Sequence, residues 1–175
     1  MNGQQIQEST PVEKIFVVLE SETELCQQLV DLLDQEQTAL TAMDLKGLLA
    51  ISSKKHSLVE RILRFDLQLQ ENARLLLDKP EEKFIRLSAL EEFVSGLDLV
   101  RLRDYREKLI QSRRMIHDCN VVNKKFAQDT LGYLDDAISL ISGSAEKKGV
   151  YQERNNAKSR TKGAANAPRL ISQEV

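Results

Sequence analysis

Aromatic residues are scarce in this chain. It has no tryptophan, and phenylalanine and tyrosine together make up only 5% of its 175 residues. Few side chains are therefore available to stack on nucleic-acid bases or to build an aromatic cofactor pocket.

Histidine and cysteine are rarer still, with two residues of each. A helical di-iron site requires a glutamate three residues before each ligating histidine, whereas Ser53 and Arg114 stand there. Neither cysteine has partners at zinc-ligand spacing. Glycine-rich phosphate loops and a Gly-x-Ser-x-Gly elbow are missing. The four histidines and cysteines considered as metal ligands are His56, His117, Cys26 and Cys119. We therefore expect no metal, no cofactor and no enzymatic activity.

Long apolar runs are also missing. No stretch approaches the roughly 18 apolar residues of a membrane span, and the start MNGQQIQESTP lacks the apolar core of a signal peptide. We therefore expect a cytoplasmic protein that is not inserted into the membrane.

The charge is unevenly distributed. Residues 142–175 contain seven basic and three acidic residues and carry +4, so the rest of the chain carries −6 of the total of −2. The arginines and lysines between residues 101 and 114 alternate with acidic residues, so they form no concentrated basic surface for nucleic acid. We expect no nucleic-acid partner.

What the sequence does contain is helical periodicity. Apolar residues recur at steps of three and four along three long segments, and no alternation of period two is found. The fold prediction is all-α: an elongated antiparallel bundle or coiled coil of three long helices with a short connecting helix. We expect residues 1–142 to form the helical domain and residues 143–175 to be a flexible, disordered basic tail, because the segment 152–168 has too few apolar residues for a core of its own.

Several local signals predict where the helices begin and end. Thr10-Pro11-Val12-Glu13 is a capping box with proline at the first helical position. Asp44 is a suitable N-cap for the second helix, and Lys79-Pro80 stops it.

The segment 79–98 connects the second and third helices. A second capping box, Ser88 to Glu91, predicts a short helix inside it, and Gly96 predicts a helix stop. Asp98 would then cap a third helix that runs to about residue 142, where Ser142-Gly143 ends it.

Two glutamates interrupt the apolar stripe of the first helix. Glu22 and Glu36 could act as paired acid and base, but a separation of 14 residues places them about 21 Å apart along the axis. Polar residues in a bundle seam more often fix the register of the helices. We interpret them in that way.

The third helix is predicted to be the longest. It would span about 44 residues, against about 33 for each of the others, so roughly ten residues would extend beyond the bundle. Apolar side chains on that extension would need a partner.

The end of this helix and the segment after it combine several features. They are a glycine soon after the helix, Tyr151 entering a basic tail, a near-terminal apolar pair Leu170-Ile171, and a helical ladder containing Asn120, Asn123, Phe126, Leu131, Leu134, Ala137, Ile138, Leu140 and Ile141. In these features the chain resembles the FlgN family of flagellar type III export chaperones. In the family the tyrosine is usually followed closely by a glycine, which is missing after Tyr151.

The resemblance implies a chaperone that binds the C-terminal amphipathic helices of the two hook–filament junction proteins and prevents their premature assembly. It also implies delivery to the cytoplasmic domain of the export-gate membrane protein, with Tyr151 as the docking residue. The implied cargo-binding region is about 120–142, with contacts from Asn120, Asn123, Phe126, Leu131, Leu134, Ile138 and Ile141. The alternative from the residues alone is a generic helical adaptor or coiled-coil scaffold.

Overall fold

The computed structural model describes residues 10–142. They form three long α-helices, α1 (Pro11–Thr41), α2 (Leu45–Leu77) and α3 (Gly96–Ile141), and a short 3₁₀ helix (Leu87–Glu92) in the connection before α3. The described range contains no strand. The all-α prediction of three long helices with a short connecting helix is confirmed, whereas the predicted tail 143–175 lies outside the described residues.

The helix α1 occupies the middle of the array. It packs extensively against both α2 and α3, which contact each other far less than either contacts α1. Lys55 of α2 bonds to Glu36 of α1, and Asp66 lies near the level of Glu22, so α1 and α2 are antiparallel. Along α3, Tyr105 faces Phe16 and Asn123 faces Leu33, so α3 runs parallel to α1 and antiparallel to α2.

The core lies along α1, because this helix is covered on both sides. Twelve of its residues are buried, against four on α2. Among the most buried side chains are Leu19 and Leu33 of α1 and Leu102 and Leu109 of α3. The 3₁₀ helix closes one end of this core with Leu87 and Leu90.

The predicted caps of α1 and α2 are confirmed. Glu13 N donates to the Thr10 hydroxyl at 3.3 Å, while Thr10 N donates to the Glu13 carboxylate at 2.8 Å. Asp44 accepts from Gly47 N at 2.9 Å at the start of α2. The helix α2 ends at Leu77, just before Lys79-Pro80, and α3 ends at Ile141, as predicted.

Three local predictions in the connection to α3 are wrong. The residue before the 3₁₀ helix is Arg86, without a side-chain cap, so Ser88 caps nothing. Gly96 does not stop a helix but begins α3, with a φ of 59° that lets the chain turn there. Asp98 consequently lies in the first turn of α3 rather than at its N-cap, which is Ser95.

Candidate binding surfaces along the third helix

The end of α3 extends past the end of α1. The hydrogen bond from Asn123 to Leu33 joins residues 90 positions apart, and the same offset places Thr41, the last residue of α1, level with Leu131. Residues 132–141 therefore continue beyond α1. With 46 residues, against 31 in α1 and 33 in α2, α3 is the longest helix, about 69 Å, as its sequence predicted.

The apolar stripe that faces α1 does not stop where α1 stops. Leu109, Ile116 and Asn123 are buried against α1, and steps of three or four residues carry the same stripe to Leu134 and Ile138. The side chains at this end are exposed, with values of 66% for Leu131, 48% for Leu134, 63% for Ile138 and 88% for Ile141. A core-type surface is thus left without a covering helix among the described residues.

The two asparagines of the predicted cargo region have different environments. Asn123 is buried in the α1–α3 contact, where its amide nitrogen donates to Leu33 O at 2.9 Å and to a Glu36 carboxylate oxygen at 3.0 Å. Asn120 is exposed and, within residues 10–142, donates only to Ile116 O of its own helix at 2.9 Å. Cargo contacts by either residue stay a prediction, and the geometry gives Asn123 a packing role.

Phe126 lies at the side of the exposed stripe. Its exposed fraction is 36%. Tyr133 and Leu140 follow it at steps of seven residues, about two turns each, and are exposed by 76% and 71%. The apolar surface therefore extends around α3 beyond the stripe that faces α1. Tyr133 was missed by the sequence interpretation, although its spacing of seven residues from Phe126 was visible.

A buried charge cluster joins all three helices. Arg113 Nη2 lies 2.6 Å from Glu22 Oε1 and 3.5 Å from Asp66 Oδ1. Burial raises the pKa of Glu22, Arg113 opposes this rise, and Asp66 adds to it. The second carboxylate oxygen of Glu22 is buried without a hydrogen-bond partner in residues 10–142, which agrees with this direction.

A second polar cluster lies further along the bundle. Glu36 of α1 accepts from Lys55 of α2 and from Asn123 of α3. Glu36 therefore contacts both neighbouring helices directly, whereas Glu22 contacts α3 and is linked to Asp66 of α2 through Arg113. The interpretation that they fix the register is supported, because partners at other levels would leave these groups unpaired.

Between the two clusters, an apolar groove separates α2 from α3. Its volume is about 290 Å³. The floor is formed by Cys26 and Leu29 of α1, and the pKa of the Cys26 thiol is raised to about 12, chiefly by burial, so this floor is uncharged. The walls come from α2 and α3, namely Lys55, Val59, Ile62, Leu63, Asp66, Arg113, Ile116, His117, Asn120, Val121 and Lys124. No pattern in the sequence alone predicted this groove.

The comparison with known protein families matches residues 12–159 to the family described as FlgN protein. The match covers the three long helices except Pro11, the first residue of α1, and it includes Tyr151. The chain belongs to the FlgN family. Comparisons with curated proteins and with solved structures gave no match. The family assignment makes this FlgN protein a flagellar export chaperone in general function.

The part of the chain that the structure describes offers no metal-binding cluster, because no three metal-ligating side chains lie together within residues 10–142. No helix in that range is long and apolar enough to cross a membrane. The predicted docking residue Tyr151 lies outside the described residues.

Proposed function

We propose that this FlgN protein binds the C-terminal amphipathic helices of hook–filament junction proteins with the exposed end of α3. The observation that carries the proposal is the continuation of the α1-facing stripe beyond α1. A cargo helix laid on Leu131, Leu134 and Ile138 would cover them as α1 covers Leu109 and Ile116. Amphipathic helices bind apolar surfaces in this way, through anchors spaced by three and four residues.

The same arrangement supports a chaperone role. An amphipathic helix left free in the cell exposes its apolar face and associates with other copies. Covering that face prevents premature assembly, and a surface on the side of one helix allows the cargo to leave again. We therefore infer that the chaperone keeps its cargo unassembled in the cytoplasm before export.

The experiment compares two double variants of the full chain by calorimetric titration with a synthetic C-terminal peptide of a junction protein. Leu134→Asp with Ile138→Asp places charge on the proposed surface. Leu67→Asp with Leu75→Asp makes the same change at leucines of α2 that are exposed by 69% and 73%. We expect the α3 variant to bind at least about 10-fold more weakly, since the loss of two apolar anchors exceeds 1.4 kcal/mol.

The control variant on α2 should bind the peptide like the unsubstituted chain. Both variants should unfold at nearly the same temperature as the unsubstituted chain, because the substituted side chains are exposed. Equal affinity of all three proteins, or absence of binding by the unsubstituted chain, would contradict the proposed cargo surface.

Delivery to the export gate is the second part of the proposal. Tyr151 follows α3 closely in sequence and matches the tyrosine that the family resemblance links to the cytoplasmic domain of the gate protein. We expect Tyr151→Ala to reduce binding to that domain and to leave peptide binding unchanged. Loss of peptide binding with intact gate binding would overturn the assignment of Tyr151.

A further inference from the structure

The groove and the exposed end lie on one side of α3. His117, Asn120 and Lys124 line the groove and follow each other at steps of three and four residues. Leu131 and Ile138 follow Lys124 at further steps of seven, about two turns each, so they lie on the same side of the helix. The groove therefore continues directly into the surface proposed to bind cargo.

The groove has the form of a helix-binding site. Its floor is the buried face of α1, and its apolar walls include Val59 and Ile62 on one side and Ile116 on the other. Because α2 and α3 flank α1 and scarcely touch each other, a fourth helix in the groove would contact all three. Such a helix would complete a four-helix arrangement around the groove.

The charges of the groove favour an acidic partner. Three cations, Lys55, Arg113 and Lys124, line it against the single carboxylate of Asp66. Arg113 and Lys55 already bond to carboxylates of the bundle, whereas Lys124 stands exposed on the side that leads to Leu131. Complementary charge next to an apolar contact fixes the orientation of a bound helix and suppresses wrong partners.

We propose that the cargo helix lies along this whole track, from the level of His117 to that of Ile138. Its apolar stripe enters the groove between α2 and α3, and acidic side chains beside that stripe face Lys124. The track spans about 32 Å, or six helical turns. This inference rests on the proposed function, because it takes the same cargo helix and adds the groove as the inner half of its binding surface.

Two neighbouring valines provide a matched test. Val121 lines the groove and is 53% exposed, whereas Val122 is 49% exposed and lies outside it. Successive residues point about 100° apart around a helix, so the two variants Val121→Asp and Val122→Asp place the same charge on different sides of α3. We expect the first to weaken binding of the junction-protein peptide by at least about 10-fold and the second by less than about 3-fold.

The result separates the inference from the proposed function. If Leu134→Asp with Ile138→Asp abolishes binding while Val121→Asp does not, the cargo surface stands and the groove is overturned. Equal losses at Val121 and Val122 also overturn the groove. If the unsubstituted chain does not bind the peptide, the proposed function fails, and with it the inference.

A second measurement does not depend on the stability of the variants. A photoreactive amino acid placed at position 121 of the full chain should crosslink to the peptide, and one placed at position 122 should not. Crosslinking from 122 alone overturns the proposal. Crosslinking between two copies of the chain from position 121, undiminished by the peptide, identifies a second copy as the occupant and also overturns it.

The charge of the partner is tested with designed peptides. Two amphipathic helices share one leucine stripe and carry either glutamate or lysine beside it. We expect the glutamate peptide to bind more tightly by several fold, and Lys124→Glu to remove or reverse that preference. Equal binding of both peptides to the unsubstituted chain overturns the acidic partner.

Discussion

Arg113 Nη2 lies 2.6 Å from Glu22 Oε1, and so joins α3 to a completely buried carboxylate of α1. The two residues are 91 positions apart, and Asp66 brings α2 into the same cluster at 3.5 Å. A shift of any helix by one turn would separate these charges in a dry environment. The cluster therefore specifies the level at which the three helices meet, and with it the length of α3 that extends past α1.

Arg113→Met should destabilise the bundle, because it leaves Glu22 without its cation. We expect the free energy of unfolding to fall by about 2–3 kcal/mol, less than for a fully buried pair because Glu22 can take up a proton. The control is Arg114→Met, since the Arg114 side chain is 84% exposed and lies 3.9 Å from Asp118. Urea unfolding of both variants checks this, and similar losses for both would contradict the role of the cluster.

The stability of the bundle should carry a pH dependence from Glu22. Burial raises the pKa of Glu22 above its ordinary value of 4.5, so the folded protein holds this proton to a higher pH than the unfolded chain. The contribution of Glu22 to stability is then greatest at low pH and is lost as pH rises from about 4.5 through the raised pKa. The slope cannot exceed about 1.4 kcal/mol per pH unit.

Glu22→Gln isolates this contribution, because glutamine does not titrate. The difference in unfolding free energy between the unsubstituted chain and Glu22→Gln should fall with rising pH and then level off. Urea unfolding of both proteins at a series of pH values from about 4.5 to 8 measures it. A difference that is constant, or that grows with pH, would show that the pKa of Glu22 is not raised.

Much of this fold follows from local patterns in the sequence. The capping box at Thr10, the cap at Asp44 and the stop at Lys79-Pro80 were predicted because each depends on neighbouring residues alone. The excess length of α3 was also predictable, since it requires only a count of helical residues. Glu22 and Glu36 were recognisable as seam residues, because charged groups on an apolar stripe require partners.

The partners themselves could not be predicted. The pairing of Glu22 with Arg113 depends on the order of the helices in space, and no local pattern in a single sequence fixes that order. The groove was missed for the same reason, since it exists only because α1 separates α2 from α3. The start of α3 was predicted too late in the chain, because the positive φ of Gly96 occurs at the beginning of this helix and not at the end of the preceding one.

Asn120 and Asn123 should respond differently to the same substitution, because their side chains have different partners. Asn123→Ala removes two hydrogen bonds that hold α3 on α1, so we expect a loss of about 1–2 kcal/mol and faster amide exchange in residues 124–141. Asn120→Ala removes only a bond within α3 from an exposed side chain and should change stability by less than about 0.5 kcal/mol. Equal effects on unfolding and exchange would show that Asn123 does not anchor the end of α3.

Gly132 lies in the part of α3 that extends beyond α1, where a more rigid helix should bind cargo better. A Cβ atom added at Gly132 meets nothing within 4 Å, and a glycine inside a helix costs about 0.5–1 kcal/mol relative to alanine. We expect Gly132→Ala to slow amide exchange in residues 128–141 and to tighten peptide binding by about 2- to 5-fold, because less conformational freedom is lost on binding. Calorimetry and hydrogen exchange measure the two effects.

Gly132→Pro gives the opposite test at the same position. Proline removes a helical hydrogen bond and breaks the helix, so peptide binding should be lost while the core, whose last buried residue on α3 is Asn123, still unfolds at its normal temperature. If Gly132→Ala instead weakens binding, the cargo backbone must approach α3 at Gly132 too closely for a methyl group. The glycine would then be part of the contact surface, and the order of the helix end would not limit the affinity.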